Sequence, residues 1–225
     1  MKRSFSILII FIAYSACSEN TRTNDNLTTL ADSVATARDS LKIDNTKTQE
    51  DTAVTLMGNE LIVPGKSIGK INLGMTDSLL GVVLGKADMS DAAMGKAWLT
   101  WYGKKPDEHN NKTELNIFTS YKDTSMREKI VQQVRTTSSF FSTASGLHIY
   151  SSLDDIKKQF PQLKKAATYN DSSRTIIIYD EQQQGIAFEM APANQQEICT
   201  GIIIHEPGIK VTQTYISLHP GMHIF

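Results

Sequence analysis

Ile71-Asn72-Leu73-Gly74-Met75-Thr76-Asp77-Ser78-Leu79-Leu80 is followed, 76 residues later, by Leu147-His148-Ile149-Tyr150-Ser151-Ser152-Leu153-Asp154-Asp155-Ile156. Ile71, Leu73, Leu80 and Leu84 align with Leu147, Ile149, Ile156 and Phe160, so one apolar pattern occurs twice. In each copy a short extended apolar pair leads into a helix start. Thr76 before Asp77, and Ser152 before Asp154 and Asp155, supply the side-chain oxygens and negative charge that a helix N-terminus favours. Gly85 ends the first helix and Pro161 the second.

Three strand-like stretches follow each helix: Ala97 to Tyr102, Glu114 to Tyr121 and Lys129 to Thr136, then Thr175 to Tyr179, Gly185 to Met190 and Ile198 to His205. Leu115, Ile117, Thr119 and Tyr121 alternate with Asn116, Phe118 and Ser120, the pattern of a strand with one buried face. A last strand is expected from Ile209 to Leu218. The predicted fold is α+β: two helix-then-three-strand repeats, residues 61–140 and 141–225, forming one antiparallel sheet with both helices on one face.

The segment Ile71 to Thr76 with Leu80, Leu84 and Gly85 resembles the opening of the SmpA/OmlA family, the small lipoproteins of the barrel-assembly machinery. The tandem helix-and-strands unit also resembles the beta-lactamase inhibitory protein. The Gly74-Met75 step carries the likeness, which covers about residues 64 to 208; the second copy has Tyr150 and Ser151 there. The resemblance implies an envelope binding or scaffolding role without catalysis and names no partner.

Upstream of the repeats, Lys2 and Arg3 precede the apolar run Phe5 to Ala13, then Ser15, Ala16 and Cys17. This is the layout of a secretory signal over residues 1–16, and Tyr14-Ser15-Ala16-Cys17 resembles a bacterial lipobox, with Tyr14 in place of the usual aliphatic residue. Nine residues of helix span only about 14 Å, against a hydrocarbon core of roughly 30 Å. The expectation is lipid on Cys17 and an outer-membrane anchor facing the periplasm; the alternative is an ordinary cleaved signal with an incidental cysteine. Residues 17–60 read as a polar tether. Leu27, Leu30, Val34, Ala37 and Leu41 give it a short heptad seam. Asp32-Ser33-Val34, Asp39-Ser40-Leu41 and Asp51-Thr52-Ala53 resemble the O-glycosylation sequon of one Gram-negative phylum.

Loss of Lys2 and Arg3 with the signal leaves 21 basic against 24 acidic residues, a formal charge of −3, which does not suggest nucleic acid as a partner. With Cys17 lipidated, Cys199 has no disulfide partner and reads as a small apolar residue in a buried strand. Gly65-Lys66-Ser67-Ile68-Gly69 matches the Gly-x-Ser-x-Gly pattern of a hydrolase, yet the chain after Ser67 reads as extended where that motif needs a helix. Its likeness to a phosphate-binding loop fails at Glu60, where a Gly is required, so no nucleotide is expected. Asp154 and Asp155 are better explained as helix-dipole partners than as catalytic carboxylates. His219, Met222 and His223 form the one soft-metal candidate, weakened by the turn at Pro220-Gly221. No cofactor or metal is expected.

The leading expectation is a noncatalytic envelope lipoprotein that binds another envelope protein through the open sheet face, with Trp101 and Phe118 as aromatic anchors. A serine hydrolase using Ser67 and a metal-binding protein using the C-terminal His and Met side chains are the alternatives.

Overall fold

The computed structural model describes residues 59–171, 174–214 and 221–225. The chain divides into two units, Met1–Ile43 and Asp44–Phe225, and the described residues belong to the second. Cys17, the tether seam and the three sequons lie outside the described residues.

Both expected helices form. Helix α1 is Asp77–Leu84 and α2 is Leu153–Gln159, with Thr76 and Ser152 accepting from the backbone N–H three residues on. Leu80 and Ile156, the equivalent apolar positions, are both buried in one core cluster with Ile117, Val134, Phe188, Ile202 and Ile204. The repeat also holds in the backbone. Gly74 N–H donates to Val131 O and Val131 N–H to Met75 O, while Tyr150 N–H donates to Cys199 O and Cys199 N–H to Ser151 O. Each helix approach is thus clamped to the last strand of its own repeat.

Four strands, not three, follow each helix. They are Met89–Ala93 (β4), Lys96–Tyr102 (β5), Glu114–Tyr121 (β6) and Lys129–Thr136 (β7) in the first repeat, and Lys164–Asp171 (β9), Arg174–Glu181 (β10), Ile186–Ala193 (β11) and Gln196–His205 (β12) in the second. Strand β4 is exposed at all five positions, and β9 buries only Ala167 and Tyr169, so neither carries a strong apolar alternation. Two of the hairpins turn through left-handed pairs, Met94-Gly95 and Asn194-Gln195, as two-residue hairpin loops require.

The large sheet runs β13-β9-β10-β11-β12-β7-β6-β5-β4, where β13 is His223–Ile224. The last strands of the two repeats meet antiparallel at its centre, with Ile203 opposite Arg135 and Ile204 opposite Val134. Leu61–Val63 (β1), Ser67–Ile68 (β2), Ile71–Asn72 (β3) and Ser142–Thr143 (β8) make a second, small sheet in the order β3-β2-β1-β8. The fold is therefore mostly antiparallel sheet, and the two helices, 8 and 7 residues long, are too small to make it an α+β fold with a helical layer.

Within the expected final strand from Ile209 to Leu218, Val211–Thr214 is instead a short helix, α3, and residues 215–218 lie outside the described residues. Its Val211 closes a second core on the other sheet face, over Ala167, Tyr169, Ile176, Ile178 and Ile203. The strands of the second repeat are apolar on both faces because both faces are covered.

The same geometry corrects the aromatic anchors. Trp101 lies opposite Leu115 and packs half-buried against the helix-side core, whereas Phe118 lies opposite Trp98 on the other face and is 3% exposed. Trp98 and Phe118 rings stand 6.5 Å apart. Trp101 and Phe118 share no face, and neither stands on an open sheet surface.

Candidate functional site

A charged side chain inside an apolar strand needs a partner, because an unpaired buried charge is costly. Two such residues meet on the sheet face away from α1 and α2: Arg135 on β7 and Glu189 on β11, the latter between buried Phe188 and Met190. Arg135 Nε donates to Glu189 Oε1 at 2.8 Å and Nη2 donates to Oε2 at 2.6 Å, a two-pronged ion pair. Arg135 Nη1 donates to Asn116 Oδ1 at 2.7 Å and lies 3.6 Å from Glu114 Oε2. Asn116 Nδ2 in turn donates to Thr100 Oγ1 at 3.0 Å. Strands β5, β6, β7 and β11, drawn from both repeats, are joined by this one network.

Local backbone makes room for it. A bulge skips Thr200 between the Glu189–Gly201 and Met190–Cys199 pairs, and the first repeat has the same bulge at Gln132. Gly201 stands opposite Glu189, and a Cβ there would fall 2.3 Å from the Glu189 carboxylate. Glycine is required for close approach rather than for a turn.

Above this floor opens a cleft of about 400 Å³. One rim is the β5–β6 loop with Asp107, Asn111 and Lys112; the other is the end of the β9–β10 hairpin with Asp171 and Arg174, which pair at 3.4 Å. Tyr150 bridges the repeats at the first rim. Its hydroxyl donates to the Asp107 carboxylate and accepts from Asn111 Nδ2 at 2.9 Å, while His109 stands edge-on to its ring at 4.3 Å. Burial, reinforced by the Asp107 hydrogen bond, pushes the Tyr150 hydroxyl up. Burial also pushes Asp107 up, but hydrogen bonds from Tyr150 and the amides of Asn111 and His109 outweigh it and hold the carboxyl below its ordinary value. Tyr150 achieves this with a left-handed backbone, φ 81°. The cleft offers donors and acceptors of both charges to a polar ligand.

The residues singled out from the sequence lie elsewhere. Ser67 is buried in β2 opposite Val63 and Asn72, a turn at Gly69-Lys70 and not a helix follows it, and among the described residues no hydrogen bond joins its hydroxyl to a histidine. Met222 packs on the second core and His223 pairs with Thr168 in β13; His219 lies outside the described residues. No group of three or more His, Cys, Asp or Glu among the described residues is placed to hold a metal. Asp155 completes the α2 cap, accepting from Ser152 Oγ at 2.7 Å and pairing with Lys158 at 2.8 Å. His205 is fully buried, with Nε2 3.0 Å from Asp180 Oδ1, and Asp180 Oδ2 accepts from Val211 N–H, so this pair pins α3. Cys199 is buried, and burial pushes its thiol well up, away from the reactive thiolate. Sequence reasoning missed Arg135, Glu189, Tyr150 and Asp107; the lone charge in the apolar strand β11 was the available signal for Glu189.

No family model matches the chain, and no curated protein matches it. Among solved structures, the uncharacterized protein yfeY from Escherichia coli is similar at 11% identity and a TM-score of 0.34, over 64% of this chain and 99% of that one. At that score the likeness bears on neither fold nor function. No helix among the described residues is long and apolar enough to cross a membrane.

Proposed function

We propose that the chain is a noncatalytic cell-envelope lipoprotein, held through lipid on Cys17 at the outer membrane and facing the periplasm, whose polar cleft binds another envelope protein. The observation that carries the binding role is Tyr150. Left-handed backbone costs a bulky residue such as tyrosine on the order of 1 kcal/mol or more and persists only where the surroundings hold it. Here that conformation sets the hydroxyl on Asp107 and Asn111 at the cleft rim. Facing rims with Lys112, Arg174, Asp107 and Asp171 suit a partner surface of mixed charge. The signal-like residues Met1 to Cys17 support the anchoring.

The test is capture of a partner from detergent-treated envelopes by the full chain and by Lys112→Glu with Arg174→Glu. The expected result is loss of the captured protein at an unchanged unfolding midpoint; undiminished capture would remove the cleft from consideration. Cys17→Ser is expected to move the protein to the soluble periplasmic fraction or block its maturation, and unchanged membrane retention at unchanged mass would end the anchoring reading.

A further inference from the structure

His205 is fully buried at the end of β12, and each of its ring nitrogens meets an oxygen. Nδ1 lies 3.1 Å from the backbone carbonyl of Glu206, and Nε2 lies 3.0 Å from Asp180 Oδ1. A carbonyl can only accept, and so can an ionised carboxylate. Neutral imidazole has a single N–H, so a neutral ring beside an ionised Asp180 turns a lone pair toward one of these oxygens. Satisfying both contacts takes one proton more than a neutral histidine and a carboxylate hold apart. That count is the same whether the proton rests on Nε2 or on Oδ1.

The same pair carries α3. Asp180 Oδ2 accepts from Val211 N–H at 3.0 Å, and Gln133, opposite His205 on β7, donates from Nε2 to Val211 O at 3.2 Å. Val211 is 1% exposed and completes the second core. Without the extra proton, two electron-rich atoms stand 3.0 Å apart in a buried site, where repulsion is little screened. Any shift of Asp180 that relieves it strains the bond to Val211. The charged groups around Asp180 are Lys164 opposite it on β9, Glu181 beside it and Lys210 before α3, which line with it a cavity of about 250 Å³. Toward His205, β7 presents uncharged Gln133, and the turn between β10 and β11 presents the Gly185 carbonyl, which accepts from the His205 backbone N–H.

We propose that His205 and Asp180 form a proton-dependent latch on α3. The extra proton holds Val211 on the second core; its loss as pH rises frees α3 and bares the sheet face of Ala167, Tyr169, Ile176, Ile178 and Ile203. Because the docked state holds one proton more than the released state, release grows with pH, by up to about ten-fold per pH unit. The latch is independent of what the cleft binds.

Amide hydrogen exchange of the full chain from about pH 5 to about pH 8, corrected for the intrinsic rate, tests it. Protection at Val211 and through α3 is expected to fall with rising pH while that of Phe188 in the sheet holds. Asp180→Asn, whose amide can accept from Val211 N–H and donate to a neutral His205, is expected to keep α3 protected across the range. Protection of α3 that is constant or rises with pH in the wild type, a fall shared equally by Phe188, or the same fall in Asp180→Asn would each overturn the latch. The wild-type profile decides by itself if the variant does not fold.

Discussion

Tyr150 occupies in the second repeat the place that Gly74 holds in the first, and the two share a left-handed backbone, φ 81° and 77°. Glycine adopts it freely and tyrosine does not. Tyr150→Phe keeps the ring and the strain but removes both hydroxyl contacts, so a loss of about 1 kcal/mol is expected. The amides of His109 and Asn111, which donate to Asp107, are expected to exchange faster. Unchanged exchange at these amides would show that the loop holds itself. Asp107 is depressed in the fold, so its contribution is present above the ordinary value of 3.8 and is lost as pH falls through the lower folded value; in Tyr150→Phe this acid-side loss is expected to be smaller.

Arg135 and Glu189 make a second prediction, in which single and double changes differ in size. Glu189 is fully buried, so Arg135→Ala leaves an uncompensated charge and is expected to cost about 3–5 kcal/mol, as is Glu189→Ala. Arg135→Met with Glu189→Leu is expected to come much closer to wild type in chemical denaturation. Gly201→Ala, which drives a methyl into the carboxylate, is expected to destabilise the wild type and to do so less in the Glu189→Ala background. Equal effects of Gly201→Ala in both backgrounds would detach Gly201 from the ion pair.

Tyr179 governs the alkaline limit. Burial first, then the charge and hydrogen bond of Glu197, push its hydroxyl up to about 12. A raised value in the fold means that its stabilising share is complete below the ordinary value of 10 and is lost as pH rises toward 12. Tyr179→Phe is therefore expected to flatten the fall in unfolding midpoint between those limits. Ultraviolet titration of phenolate absorbance is expected to show one fewer late-titrating tyrosine in the variant than in the wild type.

The apolar spacing of Leu80 and Ile156 made the repeat legible, because helix residues that pack on a sheet must recur at fixed positions. Strand β6 was legible to the residue through its alternation of Leu115, Ile117 and Thr119 with their neighbours, and β7 was placed to the residue although its bulge at Gln132 breaks the period. Strand β4 was not, because an edge strand exposed on both faces leaves no apolar period. The second core was hidden for a different reason. It depends on α3 folding back to place Val211 on β9, β10 and β12, a contact remote in sequence with no local signature. Without that cover, the apolar residues on both parities suggested an open binding face and misplaced Trp101 and Phe118. The polar cleft was illegible as a site because its parts are scattered from Asp107 to Glu189 and become neighbours only through the central strand pairing.

That central pairing has a geometric property of its own. The backbone clamps match Val131 with Cys199, which makes Arg135 the counterpart of Ile203, and these two counterparts are the residues that face each other across β7 and β12. A local two-fold axis therefore passes between them, relating Val134 to Ile202 and Thr136 to Ile204. This is the contact that two identical chains make when each offers the same strand to the other. A protein of one such repeat could assemble the same sheet as a homodimer, and the present chain has the form of that dimer after fusion, freed to place a cation on one side of the axis and an isoleucine on the other.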